Sequence, residues 1–456
     1  MGLGDASGLG DASGRRRMVG LVVVLLGCLF FGVRGYQDQK VALQGFDFKP
    51  VYGSARCLME GCDPYDSAQI ERVYLEHGGD GSDVRPFRPF NANYPPSALF
   101  LVLPLAMLPF GVAKLIWLSV GIVLFSCAAM CVADLCVGRS ALMVQCVLAL
   151  FVATSTMLVM LAQPAMMSIS LAVIAVWCFV RGRMAWAGVL AFAVSLTFKP
   201  HVGGLVWLFF LLASRGGEGL DGPWRLYRRR ALETLVVTLV LMTPGIVLAF
   251  HHAASAQWPQ ELHRNLVGIA AHGSASDPGP ANNEAQSITN LQALFSLERD
   301  SPSFYNRAAI GVFAPLLLGW LYLVMRRVRG VGARVWDAEA YRARDLLALA
   351  SAAALSFLPV YHRQYDTRLL LLMFPAVALL ASVGGWRGRV AVGLSMVATV
   401  TMSHQFAHVG PRLEERLGGL PGAVRVMLDR PLPLTLLVLS CFFLYCLMRV
   451  RQAETV

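Results

Sequence analysis

The chain has 456 residues, of which 56% are hydrophobic and only 15% charged, with a mean hydropathy of +0.57, against about 25% charged residues in a soluble domain. That balance excludes a soluble globular protein. Its continuous apolar runs of about 17–25 residues, long enough to cross a ~30 Å hydrocarbon slab as helix, exclude an outer-membrane barrel of ~10-residue alternating segments. The net charge of +11 sits in links such as Arg228-Arg229-Arg230 and Arg326-Arg327-Val328-Arg329 beside apolar runs, so it reads as a topology signal and not as a nucleic-acid footprint.

Residues 1–17 repeat Leu-Gly-Asp-Ala-Ser-Gly twice and end in Arg15-Arg16-Arg17. No strand precedes this Gly-rich text, so it reads as a disordered cytoplasmic tail and not as a phosphate loop. Twelve candidate spans follow, at 18–34, 112–136, 141–159, 164–180, 184–198, 201–214, 231–250, 305–325, 345–360, 367–385, 388–406 and 432–448. The first resembles a signal peptide, with Leu25-Leu26-Gly27-Cys28 loosely like a lipoprotein box, but the later spans hold the chain in the membrane and no cleavage is expected.

With Arg15-Arg16-Arg17 inside, alternation puts the links 181–183, 215–230, 326–344 and 387–389 and the 449–456 tail on the same cytoplasmic side. The register closes only if 95–110 does not span. Pro95, Pro96, Pro104 and Pro109 mark that stretch as a re-entrant or interfacial element. The expected fold is an all-α polytopic membrane protein, a single transmembrane domain over 18–448 with outer loops at 35–95, 251–304 and 407–431. All nine histidines fall on the outer side, which points to a working polar surface facing outward.

Most of the ten cysteines lie within spans, as small buried apolar residues. Cys57 and Cys62 lie on the first outer loop, where oxidation is possible, but five residues apart on a helix is poor disulfide geometry, so a bond is disfavoured and their oxidation state stays open.

The first outer loop reads Gly45-Phe46-Asp47-Phe48-Lys49-Pro50-Val51-Tyr52, then Ala55-Arg56-Cys57-Leu58-Met59-Glu60-Gly61-Cys62-Asp63-Pro64-Tyr65, and later Asn93-Tyr94-Pro95-Pro96. Asp47, flanked by aromatic and apolar residues at the interface, reads as a partly desolvated and therefore more basic carboxylate, a candidate general base. An ordinary loop acid fits the same position. Of the four lysines, Lys199 ends one apolar run and Pro200-His201 begins the next, which leaves a cation at the rim of the hydrocarbon. A lipid-linked phosphate is one partner for it, and snorkelling to headgroups is the other reading.

A second outward corner, Tyr361-His362-Arg363-Gln364-Tyr365-Asp366-Thr367-Arg368, is polar between two apolar spans. The positive-inside rule does not explain arginines there, and His362, Arg363 and Arg368 suit phosphate oxygens. The turn at Gln163-Pro164 and the polar strip ending at Asn290 offer amides and hydroxyls for sugar hydroxyls, although such groups suit any loop. His251, His252, His263 and His272 lack a metal-ligand spacing, so no metal and no cofactor are expected. Walker, dinucleotide and Gly-x-Ser-x-Gly motifs are absent, which disfavours a nucleotide-driven pump or an ordinary serine hydrolase.

Three segments then form a recognisable series. They are Asp47-Phe48 with Tyr52 five residues on, the Ala55-to-Tyr65 run, and Tyr94-Pro95-Pro96 followed by Leu103-Pro104-Leu105 and Leu108-Pro109-Phe110. In that order they resemble glycosyltransferase family 87, over roughly 45–205. Ala187-Gly188-Val189 leading to Lys199-Pro200 matches too, while Ala162-Gln163-Pro164-Ala165 stands where the family often shows Gly-Gln-x-Asn.

The resemblance implies a GT-C-type membrane glycosyltransferase using a polyprenyl-phosphate sugar, typically mannose, with a glycolipid or glycan acceptor. It implies Asp47 as catalytic base. Lys199, His201, His362, Arg363 and Arg368 would then receive the donor phosphate, and Tyr52, Tyr94, Gln163 and Asn290 the sugar or acceptor. The rival readings are a flippase of lipid-linked glycans, which should show duplicated halves that are not evident here, and a non-catalytic subunit of an envelope assembly.

Overall fold

The computed structural model describes residues 6–41, 46–81, 90–213, 223–282, 284–325, 338–408 and 422–450. Several expected features lie outside the described residues: 1–5, Asn283, the arginines of 326–329, residues 409–421 of the third outer loop and 451–456.

The chain is a polytopic helical membrane protein. It opens with α1 (Ala6–Val41), α2 (Phe48–Glu60), α3 (Ser67–Glu76), α4 (Pro96–Ala106), α5 (Phe110–Leu135), α6 (Ala141–Ala153) and the one-turn α7 (Met157–Met160). Next come α8 (Pro164–Arg181), α9 (Ala185–Phe198), α10 (Pro200–Leu212), α11 (Pro223–His251), α12 (Trp258–Ile269), α13 (Leu291–Phe295), α14 (Pro302–Met325) and α15 (Ala338–Leu355). A 3₁₀ stretch, Gln364–Met373, runs into α16 (Phe374–Val383), followed by α17 (Gly385–Thr401), α18 (Gly422–Asp429) and α19 (Pro431–Arg449). Among the described residues, extended chain pairs only as an isolated antiparallel bridge between Ile288 and Arg363.

Eight helical segments among the described residues are long and apolar enough to cross a membrane, not twelve. The runs at 184–198 and 201–214 form helices of 14 and 13 residues, about 20 Å each at 1.5 Å per residue. Pro200 is the reason, because its ring cannot continue α9. The run at 345–360 stops at Leu355, ahead of Pro359, and α15 opens on Glu339, Arg342, Arg344 and Asp345. The run at 388–406 becomes the 17-residue α17. Pro96–Ala106 is an 11-residue helix with Pro104 inside it. At the N-terminus, the chain is already helical from Ala6, so the disordered tail expected over 1–17 is instead largely an extension of α1. A nucleated helix extends at little further cost.

Close approach of backbones fixes the helix layers. A Cβ at Gly27 of α1 would meet the Ala149 carbonyl of α6 at 2.7 Å, and one at Gly245 of α11 would meet the Pro96 carbonyl of α4 at 2.5 Å. Small residues at such crossings let helices pack where lipid offers no hydrophobic drive. In addition, α8 packs on α5 and α9, α11 on α9 and α4, and α15 on α19.

The described residues between α1 and α4 pack as helices α2 and α3. Asp66 caps α3 by accepting from the Ala68 and Gln69 amides at 2.9 and 3.0 Å. Cys57 and Cys62 are joined by a disulfide, the outcome that helical spacing disfavours. The reason is that α2 ends at Glu60 and Gly61 turns left-handed at φ 80°. The turn brings the Cys62 amide to the Cys57 carbonyl at 3.0 Å and the two Cα atoms to 4.7 Å, within disulfide range.

Candidate active site

Aromatic packing positions Asp47. Phe48 stacks on Trp117 with ring centroids 4.8 Å apart, Tyr52 meets Phe110 edge-on at 5.3 Å, and Tyr74 meets Phe110 at 4.7 Å. This clamps α2 onto α5 and leaves Asp47 just before the first turn of α2. Its amide donates to the Leu161 carbonyl at 3.0 Å, and its carboxylate accepts from the Gln163 side-chain amide.

The turn that presents Gln163 has an unusual backbone. Ala162 adopts φ 50°, its carbonyl accepts from the Trp117 indole at 3.0 Å, and the Gln163 amide donates back to Leu158 at 2.9 Å. That left-handed conformation favours glycine, the residue the family resemblance shows there. Gln163 also caps α8 through the Ala165 amide at 3.4 Å.

Lys199 closes α9 and opens α10, in a non-helical conformation as expected before Pro200. Its side chain is buried and its Nζ lies 3.0 Å from Asp366. It also sits over the rings of Tyr94 and Tyr365, at 6.0 and 5.5 Å from their centroids. The other Asp366 oxygen faces His362 Nδ1 at 3.4 Å and accepts from the Arg363 amide at 3.3 Å. His362 is fully buried, 4.8 Å from His201 between ring centroids, and its Nε2 has no hydrogen-bond partner among the described residues.

The charge of Asp47 acts on Tyr94, Lys199, Arg363 and Tyr365, so the two ends of the chain meet in one electrostatic cluster. Burial pushes the Tyr94 phenol up to about 12, against the opposing pull of Lys199. For Lys199, burial works downward, but Asp366, Tyr94 and Asp47 outweigh it and the net shift is upward. Both groups are therefore held in their protonated forms.

Asp47, Tyr94, Gln163, Lys199, His201, His362 and Arg363 are thus drawn together. Arg363 arrives already engaged. It donates to the Tyr361 hydroxyl at 2.6 Å, to Glu284, to Ser287 at 3.2 Å and to the Ala275 carbonyl at 2.7 Å, which ties the segment around 275–287 to the cluster.

Three further expected site residues make other contacts in the described structure. Arg368 is buried, donates to the carbonyls of Thr154 and Met402, and lies over the Phe151 ring at 4.8 Å. Tyr52 donates to the Leu108 carbonyl at 2.6 Å inside the aromatic core. Asn290 caps α13 by accepting from the Ala293 amide at 3.1 Å. His272 stands beside Asp277 and Asp300, yet both Asp277 oxygens already accept loop amides, from Gly273 at 2.7 Å and Gly279 at 2.9 Å.

Asp366 is the residue that sequence reasoning passed over. It was visible inside the polar corner, and a lysine buried beside apolar helices requires a carboxylate somewhere. Glu284 and Tyr365 carried no comparable signal.

Neither a curated protein nor a solved structure matches the chain. A family model does, over residues 92–337, more than half of its length. The matched stretch holds Tyr94, Gln163, Lys199 and His201, while Asp47, His362 and Arg363 lie beyond its ends. A polytopic helical membrane protein with this match belongs to glycosyltransferase family 87.

Proposed function

We propose that the protein transfers a sugar, with mannose the sugar the family resemblance favours, from a polyprenyl-phosphate donor to an acceptor hydroxyl on a glycolipid or glycan, with inversion and on a GT-C plan. Asp47 removes the acceptor hydroxyl proton as that oxygen attacks the anomeric carbon. The bond from that carbon to the phosphate oxygen breaks, and its electron pair leaves with the polyprenyl phosphate. Lys199, with His201 and His362 beside it, faces the departing charge, and such placed donors contribute about 3–4 kcal/mol each to transition states of this kind. Tyr94 and Gln163 orient the acceptor and the base.

The observation that carries this reading is that the charge of Asp47 acts on Lys199 and Tyr94, although Asp47 and Lys199 lie far apart in the chain. The Cys57–Cys62 disulfide supports an active site on the outer face of the cytoplasmic membrane, since disulfides persist in oxidising compartments. The activated sugar then arrives with a membrane lipid and needs no nucleotide on that side.

The test supplies purified protein with labelled polyprenyl-phosphate mannose and a membrane glycolipid extract. Transfer by the wild type and its loss in Asp47→Asn is the expected result. Undiminished transfer by Asp47→Asn removes the base. Transfer only from a polyprenyl-diphosphate donor removes the donor class, and movement of intact glycolipid across vesicles without transfer supports the flippase instead.

A further inference from the structure

The opposite end of α9 and α11 carries a second constellation. A cavity of about 700 Å³ is lined by Trp186 at the start of α9 and by Arg228, Arg229, Leu232, Glu233 and Val236 on the first turns of the membrane-crossing part of α11. Glu233 pairs with Arg229 at 2.8 Å and Arg230 at 2.6 Å, and the Arg230 guanidinium lies over the Trp186 ring at 5.8 Å. Arg228 is exposed and forms no ion pair among the described residues. Three arginines against one carboxylate leave this end cationic.

From there Leu232, Val236 and Val240 run along one face of α11, exposed at 46%, 60% and 63%. They are spaced four residues apart, the repeat that stacks side chains along a helix. Cations thus sit at the end of an apolar stripe inside a membrane-crossing segment.

We propose that this cavity holds the headgroup of an anionic glycerophospholipid, with an acyl chain lying along the Leu232–Val236–Val240 stripe. Charge complementarity selects the headgroup. A guanidinium presents paired N–H donors that match a phosphate, and an exposed tryptophan at this depth belongs among headgroups. The stripe selects a lipid over free phosphate, because an ion gains nothing from apolar wall. A soluble protein cannot reach the stripe within the bilayer. The arginines that signal topology in the sequence then have a second use as a lipid receptor. Trp186 and Lys199 stand thirteen residues apart on the same helix, about 20 Å at 1.5 Å per residue. The lipid site is therefore separate from the sugar-transfer cluster and does not depend on its assignment.

The experiment reconstitutes the full chain in nanodiscs of phosphatidylcholine containing a minor share of phosphatidylglycerol and counts retained lipid by native mass spectrometry. Wild type retains phosphatidylglycerol selectively, and Arg228→Gln with Arg229→Gln retains about tenfold less. Arg387→Gln, at another link, retains as much as wild type. Because Arg228 holds no carboxylate, Arg228→Gln alone leaves folding untouched and still lowers retention severalfold. Equal retention by wild type and both glutamine variants overturns the proposal. So does displacement of the lipid by millimolar inorganic phosphate, or a dimer that forms through this face and excludes lipid.

Discussion

Lys199 and Asp366 form a buried ion pair, Nζ to carboxylate 3.0 Å, between side chains 9% and 5% exposed. Two helices end at the lysine and a 3₁₀ stretch begins around the aspartate, so the pair fastens two parts of the fold at the cluster. Removing one partner leaves an uncompensated buried charge. Asp366→Leu or Lys199→Met alone should cost about 3–5 kcal/mol, whereas the double variant recovers most of the stability without recovering transfer. Detergent-solubilised melting curves for the four forms measure this. Single variants as stable as wild type show that the pair does not hold the fold.

Asp47 reaches the cluster through the Leu161 carbonyl and the Gln163 amide. If it is the base, Asp47→Asn keeps both shape and hydrogen-bonding length but loses proton acceptance. Transfer should fall roughly 10²–10⁴-fold while melting is unchanged. Gln163→Ala should cost less and act on the orientation of the carboxylate, so its rate loss should shrink in Gln163→Asn only where the shorter amide still reaches. Equal losses in Asp47→Asn and Asp47→Ala, both with lowered melting temperature, mark Asp47 as a structural residue.

The pH dependence follows from Lys199 and Tyr94. Lys199 is a base whose folded pKa is raised, so the stabilisation it draws from Asp366 is fully present below its unfolded value near ~10.4. That stabilisation is lost only as pH rises through the higher folded value. Burial pushes the Tyr94 phenol up to about 12, so it too stays protonated through neutral pH. Neither residue should contribute an alkaline limb to stability or rate between pH 7 and 9. A wild-type decline centred there that vanishes in Lys199→Met contradicts the upward shift.

The polar corner at 361–368 was legible because arginine and histidine at a corner expected outside have no topological excuse, and Lys199 because lysine is rare in this chain. What composition cannot supply is which of those cations stays available. Arg368 and Arg363 read alike in sequence, yet one is sealed under Phe151 and the other bound by loop acceptors. The partner groups come from Thr154, Met402, Ala275 and Glu284, far away in the chain. Helix count failed for local reasons at four runs, two of them cut short by the proline after Lys199 and a third stopping at Leu355, and the disulfide for another, the left-handed turn at Gly61.

Ala162 gives a test of the turn itself. A non-glycine residue at φ 50° costs about 1–2 kcal/mol, partly offset in alanine by its smaller unfolded-state entropy. Ala162→Gly should be neutral or stabilising by up to about 1 kcal/mol and leave transfer intact, since the carbonyl that meets Trp117 is unchanged. Ala162→Val should be destabilising, because a β-branched side chain tolerates this region least. Thermal melting of both variants decides it, and a loss of stability in Ala162→Gly means that the alanine methyl matters more than the backbone.

The Cys57–Cys62 bond closes a loop of only a few residues, so its chain-entropy contribution is modest, about 2 kcal/mol. Its consequence is local: it pins the end of α2, whose other end carries Asp47. Cys57→Ser with Cys62→Ser should therefore lower stability slightly and transfer more than stability, because α2 loosens while the aromatic clamp on Phe48 persists. The same pair reports orientation. In intact cells, maleimide labelling after denaturation should find the two thiols protected until a reductant is added, as an oxidising compartment requires. Ready labelling without reductant would put the first loop in a reducing compartment and take Asp47 with it, away from the face where the lipid-linked donor is proposed to be used.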